Sequence, residues 1–597
     1  MDSSAPRERN ERRRQAAGIE RQQDVQIPVR DGNYLLADVF RPAGDGRHPV
    51  IVRLGVYGRA FDCGAVVDES SAQASEERED AWHTKKVHSS TDVAKDIIPP
   101  NELYENMVSA NVFDWVPRGY VCLRVDARGV GKTPGVIDPL SAEEAHDYCD
   151  VIAWAAEQPW SNGRVGVYGG SYNAITGWNV AGMAPPALKA LIAFAGDTDL
   201  YREFAHPGGL AMVGFIDQWV TGNVKAVQGW PDPEVVDILQ KVLNHPFDDP
   251  AHYGPHGSVV CSVDRGSLRV PFLTSVCLGA PIHGRGGAEA FATVDVPGKE
   301  LLVVDANYWP FMYHDCLEQQ MRFFDRHLKG DESVPAAPPV RVVQRTGGGA
   351  HLWLSDTQWP LSDTTYNDFF LDASTTVSGT PVMSRQPPTT SGLVAYSAEA
   401  KAGVSPQSAV FETPPLADDL ELAGPVSAIL WVSASATDMD VYTLLRVLDP
   451  AGREVSYAVR PLADGCPLSH GCLKVSHRAT DPALSTPYRP WHTHREQDYS
   501  PLKPDEIVSI HVEMTLATAR VPKGHRLQLL VEAFSSESSA TWRAYGGIAS
   551  PGTGTKEHSE TLGGRPYEHA YHIGVENRIH TGPDHPSKLI IPTIPRQ

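Results

Sequence analysis

Between residues 24 and 330, short apolar runs recur, each bounded by Gly, Pro or Asn. They are "HPVIVRLGVYG" (48–58), "GYVCLRVDARG" (119–129), "GRVGVYGGS" (163–171), "LKALIAFAG" (188–196), "PFLTSVCLGA" (271–280) and "KELLVVDANYW" (299–309). Continuous apolar runs of this length predict strands buried on both faces, as in a parallel sheet covered by helices. The segment "SAEEAHDYCDVIAWAAEQ" (141–158) has helical spacing instead. It opens on Ser141, with Glu144 three residues later as a capping box. Strand–helix alternation of this kind predicts an α/β fold with a mostly parallel, doubly wound sheet.

Residues 201–265 interrupt the alternation with a more helical stretch containing Trp and Pro, expected as a cap over the sheet. Residues 331–340, "DESVPAAPPV", read as a linker. Beyond it the period shortens. "NDFFLDA", "SAILWVSASA", "DVYTLLRVLDP", "SIHVEMTLATARV" and "HRLQLLVEAFSS" alternate or run apolar between turn residues, with few helix signals. That texture predicts an all-β sandwich of jelly-roll type over 341–597. The expected organisation is a solvated tail (1–23), an α/β domain (24–200 and 266–330), the cap, the linker and the sandwich.

Composition narrows the function. A net charge of −21 disfavours a nucleic-acid partner, which needs a concentrated basic surface. The charged N-terminal stretch is no secretory signal, and no run approaches the length of a membrane helix, so a cytoplasmic enzyme without a membrane partner is expected. The eight cysteines lack zinc-like spacing and read mainly as small buried hydrophobes, with a Cys466–Cys472 pairing left open. Metal and dinucleotide motifs are missing, so no cofactor is implied. The expected partner is a small-molecule substrate, and a homodimer suits the fold.

The candidate chemistry centres on "VGVYGGSYNAITGW" (165–178). A strand ends in Gly169-Gly170, Ser171 follows, and a helix begins. A serine on such a turn exposes its hydroxyl above the sheet edge, and the N–H of the next residue faces an oxyanion. Asn173 stands where the usual G-x-S-x-G pattern has its second glycine, and Asn tolerates unusual dihedrals.

Several segments together resemble the cocaine esterase / X-prolyl dipeptidyl aminopeptidase family of serine hydrolases. Among them are "VPVRDGNYLLADVFRP", "GVYGRA", "RGYVCLRVDARGVGKTPG", "EQPWSNGRVGVYGGSYNAITGW", "DTDLYREFAHPGG", "FFDRHLKG" and "IHTGPDHPSKLIIPTIP". The resemblance implies an α/β-hydrolase domain, a helical cap and a C-terminal jelly roll. It makes Ser171 the nucleophile, with the Tyr172 N–H and the Tyr57 hydroxyl as oxyanion donors. It places His206 in a segment that matches the family's pocket, and Phe204, Trp178, Asn307 and His314 are further candidates for substrate contact, His314 alternatively capping the helix that follows it.

The remaining triad positions depart from the family. The place of its acid is Ala280, and the place of its histidine is Asn307 or Trp309, neither of which takes a proton from serine. By this alignment the triad is degraded. One arrangement keeps the chemical logic with the supplying strands exchanged: His283 as base and Asp305 as its orienter. Three functions follow: an ester or amide hydrolase with a non-standard base, a repurposed cyclase, isomerase or lyase using the retained pocket, and a non-catalytic binding protein.

Overall fold

The computed structural model describes residues 14–59, 108–225, 233–278, 282–304, 316–347, 350–398, 408–455, 457, 467–533 and 575–595. Ten strands build the first sheet: β1 (Ile19–Pro28), β2 (Tyr34–Pro42), β3 (His48–Gly55), β4 (Val121–Asp126), β5 (Ser161–Gly170), β6 (Leu188–Phe194), β7 (Phe272–Cys277), β8 (Glu300–Val304), β9 (Val340–Gly347) and β10 (Ala350–Asp356). Their pairing order is β1-β2-β4-β3-β5-β6-β7-β8-β9-β10. Pairing is parallel from β4 through β9, and antiparallel at the two edges.

Side chains of the central strands alternate between two apolar layers, because successive residues of a strand point to opposite faces. Val121, Leu123 and Val125 of β4 join one layer with Tyr148, Val151 and Trp178. Cys122, between them, joins the other with Trp115, Phe323 and Phe324. Helices Ala142–Glu157 and Tyr172–Gly182 contribute to the first layer, and helix Leu317–Phe324 to the second. The sheet is therefore covered on both faces. The expected capping box is half present: the Ser141 hydroxyl accepts from the Glu144 N–H at 3.2 Å. The Glu144 carboxyl accepts from the Tyr172 phenol and from the N–H of Leu140, the residue before the cap, rather than from the Ser141 N–H.

Between β6 and β7 the chain leaves the sheet for a stretch of short helices, including Val213–Trp219 and Ile238–Asn244. After β10 come β11 (Thr365–Val377), β12 (Thr380–Ser384), β13 (Gly392–Ser397), β14 (Ala409–Glu412), β15 (Leu420–Ala434), β16 (Asp440–Leu448), β17 (Ser469–Lys474), β18 (Val508–Val521), β19 (Arg526–Glu532), β20 (Glu576–Thr581) and β21 (Lys588–Thr593). They form two mainly antiparallel groups, β12-β11-β21-β15-β18, with β20 and then β13 also paired onto β15, and β14-β19-β16-β17, around a separate apolar core. A parallel bridge between Ala519 and Arg345 joins β18 to β9, so the hydrogen bonding of the two regions is connected.

Among the described residues, no helix is long and apolar enough to cross a membrane. Cys472 is a free thiol, and Cys466 lies outside the described residues.

Candidate active site

Strand β5 ends at Gly170, and helix Tyr172–Gly182 begins two residues later. The single residue between them, Ser171, sits at φ 53° and ψ −124°. That region is rarely occupied by residues with a side chain, and strain of this kind collects at functional sites. The neighbouring glycines are required by space. A Cβ on Gly169 would run into the Asn173 backbone, and one on Gly170 into the Phe194 ring. Asn173 is accommodated because its amide donates to the Val108 carbonyl at 3.2 Å. The turn is also fixed by the Ser171 N–H, which donates to the Phe194 carbonyl at 3.2 Å.

His283 meets this serine. Its Nε2 lies 3.1 Å from Ser171 Oγ, and its Nδ1 lies 2.9 Å from Asp197 Oδ1. Asp197 and His283 are 1% and 5% exposed, so water does not compete for this contact. His283 has φ 65°, a second left-handed residue without glycine's freedom. Serine, imidazole and carboxylate thus stand in a hydrogen-bonded line, supplied by the ends of β5, β7 and β6. Asp305, expected to orient His283, lies outside the described residues, as do Ala280, Asn307, Trp309 and His314. The carboxylate that meets Nδ1 is Asp197. Its sequence signal was its place directly after the "LKALIAFAG" strand, at a sheet edge where functional side chains gather.

Salt bridges stitch the two loops together. Arg285, two residues past His283, reaches Glu203 Oε1 at 3.0 Å and Glu513 Oε1 at 2.9 Å. The other Glu203 oxygen accepts from the Thr198 N–H, next to Asp197, at 3.0 Å. Burial, reinforced by the Asp197 charge, pushes the Glu203 carboxyl well above the usual range.

Tyr57 follows β3 and is half-buried, its ring 5.6 Å edge-on from that of Tyr172. Its hydroxyl accepts from Trp219 Nε1 at 2.9 Å. Tyr172 opens the helix after Ser171, where backbone N–H groups lack helical partners. Its phenol donates to Glu144 at 2.6 Å and accepts from the Leu140 N–H at 3.1 Å. Burial raises the Glu144 carboxyl to about 8, against the hydrogen bonds from Tyr172 and Leu140.

Three residues expected at the pocket take other places. Trp178 is fully buried in the core, edge-on to Phe272 at 5.0 Å, because its helix packs against the sheet over that face. His206 is buried between Tyr201 and Tyr253, its Nε2 3.1 Å from the Val242 carbonyl, and burial lowers it to about 4. Phe204 packs edge-on against Trp219, whose indole holds Tyr57. It supports the site from behind.

A cavity of about 430 Å³ opens beside His283 and Asp197. Its walls come from both regions of the chain, with Met212 and Ile282 on one side and Met514 and Leu516 on the other. Among the described residues, no group of three or more His, Cys, Asp or Glu side chains is arranged to hold a metal ion.

Comparison with known proteins places this geometry in context. Residues 31–249 match the model of the X-Pro dipeptidyl-peptidase (S15 family), and residues 333–590 match that of the X-Pro dipeptidyl-peptidase C-terminal non-catalytic domain. A cocaine esterase of Rhodococcus sp. is 24% identical, over 96% of this chain and 98% of its own. A solved CocE/NonD family hydrolase from Staphylococcus aureus superposes with a TM-score of 0.79 at 28% identity, covering 97% of this chain and 94% of that one. An aminopeptidase from a marine sediment Thaumarchaeota archaeon shares the fold at a TM-score of 0.64 and 16% identity, covering 97% of each chain.

Proposed function

We propose that this chain, which belongs to the X-Pro dipeptidyl-peptidase (S15) family of hydrolases, is a serine esterase whose triad is Ser171, His283 and Asp197. The observation that carries the reading is the unbroken contact Ser171 Oγ–His283 Nε2–Nδ1–Asp197 Oδ1, at 3.1 and 2.9 Å. The strand order, with helices on both faces and a nucleophile turn after β5, supports an α/β-hydrolase domain, and the antiparallel sandwich after it a jelly roll.

In the reaction, Ser171 Oγ attacks the ester carbonyl carbon while its proton passes to His283 Nε2. Asp197 holds the ring with Nδ1–H toward itself and stabilises the imidazolium that forms. The carbonyl oxygen becomes an oxyanion, held by the Tyr172 N–H at the start of its helix and by the Tyr57 hydroxyl. Trp219 Nε1 donates to that hydroxyl and fixes where the phenol oxygen sits. Collapse breaks the bond to the alcohol oxygen, which takes the proton from His283. Water, deprotonated by the same imidazole, then attacks the acyl carbon, the bond to Ser171 Oγ breaks as that oxygen takes the proton back from His283, and the acid leaves.

The acid and the base each stand one strand nearer the nucleophile than the family alignment places them. That relocation supports the hydrolase over a repurposed or silent site, since the loss at Ala280 and Asn307 is matched by a gain at Asp197 and His283. The test is a fluorophosphonate probe read by intact mass, alongside turnover of 4-nitrophenyl acetate. One adduct on Ser171, absent from Ser171→Ala, together with turnover is expected. A folded protein with neither label nor turnover contradicts the reading.

A further inference from the structure

The cavity beside His283 is walled by many charged side chains, yet its charges are engaged with one another. Arg285 lies between Glu203 and Glu513, at 3.0 and 2.9 Å. Glu289 is held by Arg489 and by Arg265, the latter at 3.2 Å. Arg202 is bound by Asp199 and Asp248, both at 2.9 Å. Asp197 is committed to His283. The guanidinium groups of Arg202, Arg285 and Arg489 also lie 4.6, 5.1 and 5.8 Å from the Trp491 ring centre. Among the described lining residues, then, every Asp, Glu and Arg already has an oppositely charged or imidazole partner.

A buried charge is tolerated only with a partner, and a ligand charge entering such a cavity meets groups whose charge is already balanced by a neighbour. His470, His492 and His494 on the wall are poor cations, since burial pushes His470 down to about 3, His492 below the usual range and His494 well below it. The surfaces left for a ligand are mainly apolar, from Met212, Ile282, Trp359, Met514 and Leu516, with the Thr486 and Tyr488 side chains among the neutral polar groups of the wall.

The cavity's side of the triad decides which part of the substrate it takes. It is lined by His283 and Asp197, and Ser171 is not among its described lining residues. The base must reach the leaving oxygen to protonate it, so the group attached to that oxygen lies on the His283 side. We infer that the interdomain cavity binds the alcohol portion of the ester and selects an uncharged, apolar alcohol of moderate size. A free amine such as the N-terminus of a peptide is excluded there. This rests on the triad proposed above.

The test compares kcat/KM for acetate release from hexyl acetate, 6-aminohexyl acetate and 6-acetoxyhexanoate, which share length and differ in terminal charge. The neutral ester is expected to exceed each charged one by 100-fold or more. Either charged ester matching it overturns the inference. Ala292→Trp, at an exposed rim of the cavity, locates the effect. It is expected to cut hexyl acetate turnover at least tenfold, with ethyl acetate and ethyl hexanoate changed less than threefold. An equal loss on all three esters removes the cavity from alcohol binding. If ethyl acetate turns over and Ser171 labels, either of these adverse results counts against the alcohol site alone. Failure of both overturns the triad reading and this inference with it.

Discussion

Arg285 ties the His283 loop to the C-terminal β region: its Nε is 2.9 Å from Glu513 Oε1 on β18, while its own position is two residues after His283. That β region therefore bears on the loop that carries the imidazole. Glu513→Gln is expected to lower kcat on the order of tenfold, because small misplacements of a base are costly. KM should change little, since Glu513 keeps no charge free for substrate. Steady-state kinetics on the variant checks this split, and a rise in KM at unchanged kcat would make Glu513 a binding residue instead.

Ser171 and His283 act as one unit in this account. Ser171→Ala and His283→Ala should each lower kcat by about 10⁴-fold or more, and the double variant should be no worse than either. Additive losses in a double-mutant cycle would mean the two side chains work independently.

Tyr57→Phe removes one proposed oxyanion donor and should cost about 10²- to 10³-fold in kcat, with KM nearly unchanged. Trp219→Phe removes only the indole N–H that orients the phenol, and its effect should be under about tenfold. Larger damage from the Trp219 change than from the Tyr57 change would assign the pair to packing.

Much of this layout is legible in the chain because it is local. A strand buried on both faces is apolar at most positions, so β4, β7 and β8 show as nearly continuous apolar runs, and all their residues are buried, Arg124, Asp126, Thr274, Ser275 and Glu300 included. The turn at Ser171 is written in three adjacent residues. The edge strand β1, "IERQQDVQIP", carries no such run because much of it faces solvent, and the pattern passes over it. The Asp197–His283 pairing joins residues 86 apart, and only the register of β6 against β7 brings them together. His283 is reachable by asking which histidine lies near the serine's sheet edge. Its partner is not, since several loop carboxylates compete and the chain gives no local sign of which one turns inward. Trp178 and His206 mislead for a related reason: an aromatic in a motif segment serves the core as readily as the pocket.

Glu144 gives a pH signature in stability. Burial holds its carboxyl at about 8, above the ordinary value of 4.5, so the native state keeps a proton that the unfolded chain releases. Its contribution to stability is complete below about pH 4.5 and is lost as pH rises toward and through 8. Glu144→Gln keeps an acceptor for the Tyr172 phenol and has no proton to lose. The Tm of the variant relative to the parent is expected to rise between pH 5 and pH 8.5, as followed by thermal unfolding. A difference that stays constant with pH would show that Glu144 titrates normally.

The most direct measurement sets two carboxylates against each other: kcat/KM of Asp197→Asn and Asp305→Asn on 4-nitrophenyl acetate, with folding checked by circular dichroism. The relocated triad predicts a loss of about 10³- to 10⁴-fold for Asp197→Asn and less than about threefold for Asp305→Asn. Near-normal activity in Asp197→Asn, with collapse in Asp305→Asn, would contradict it.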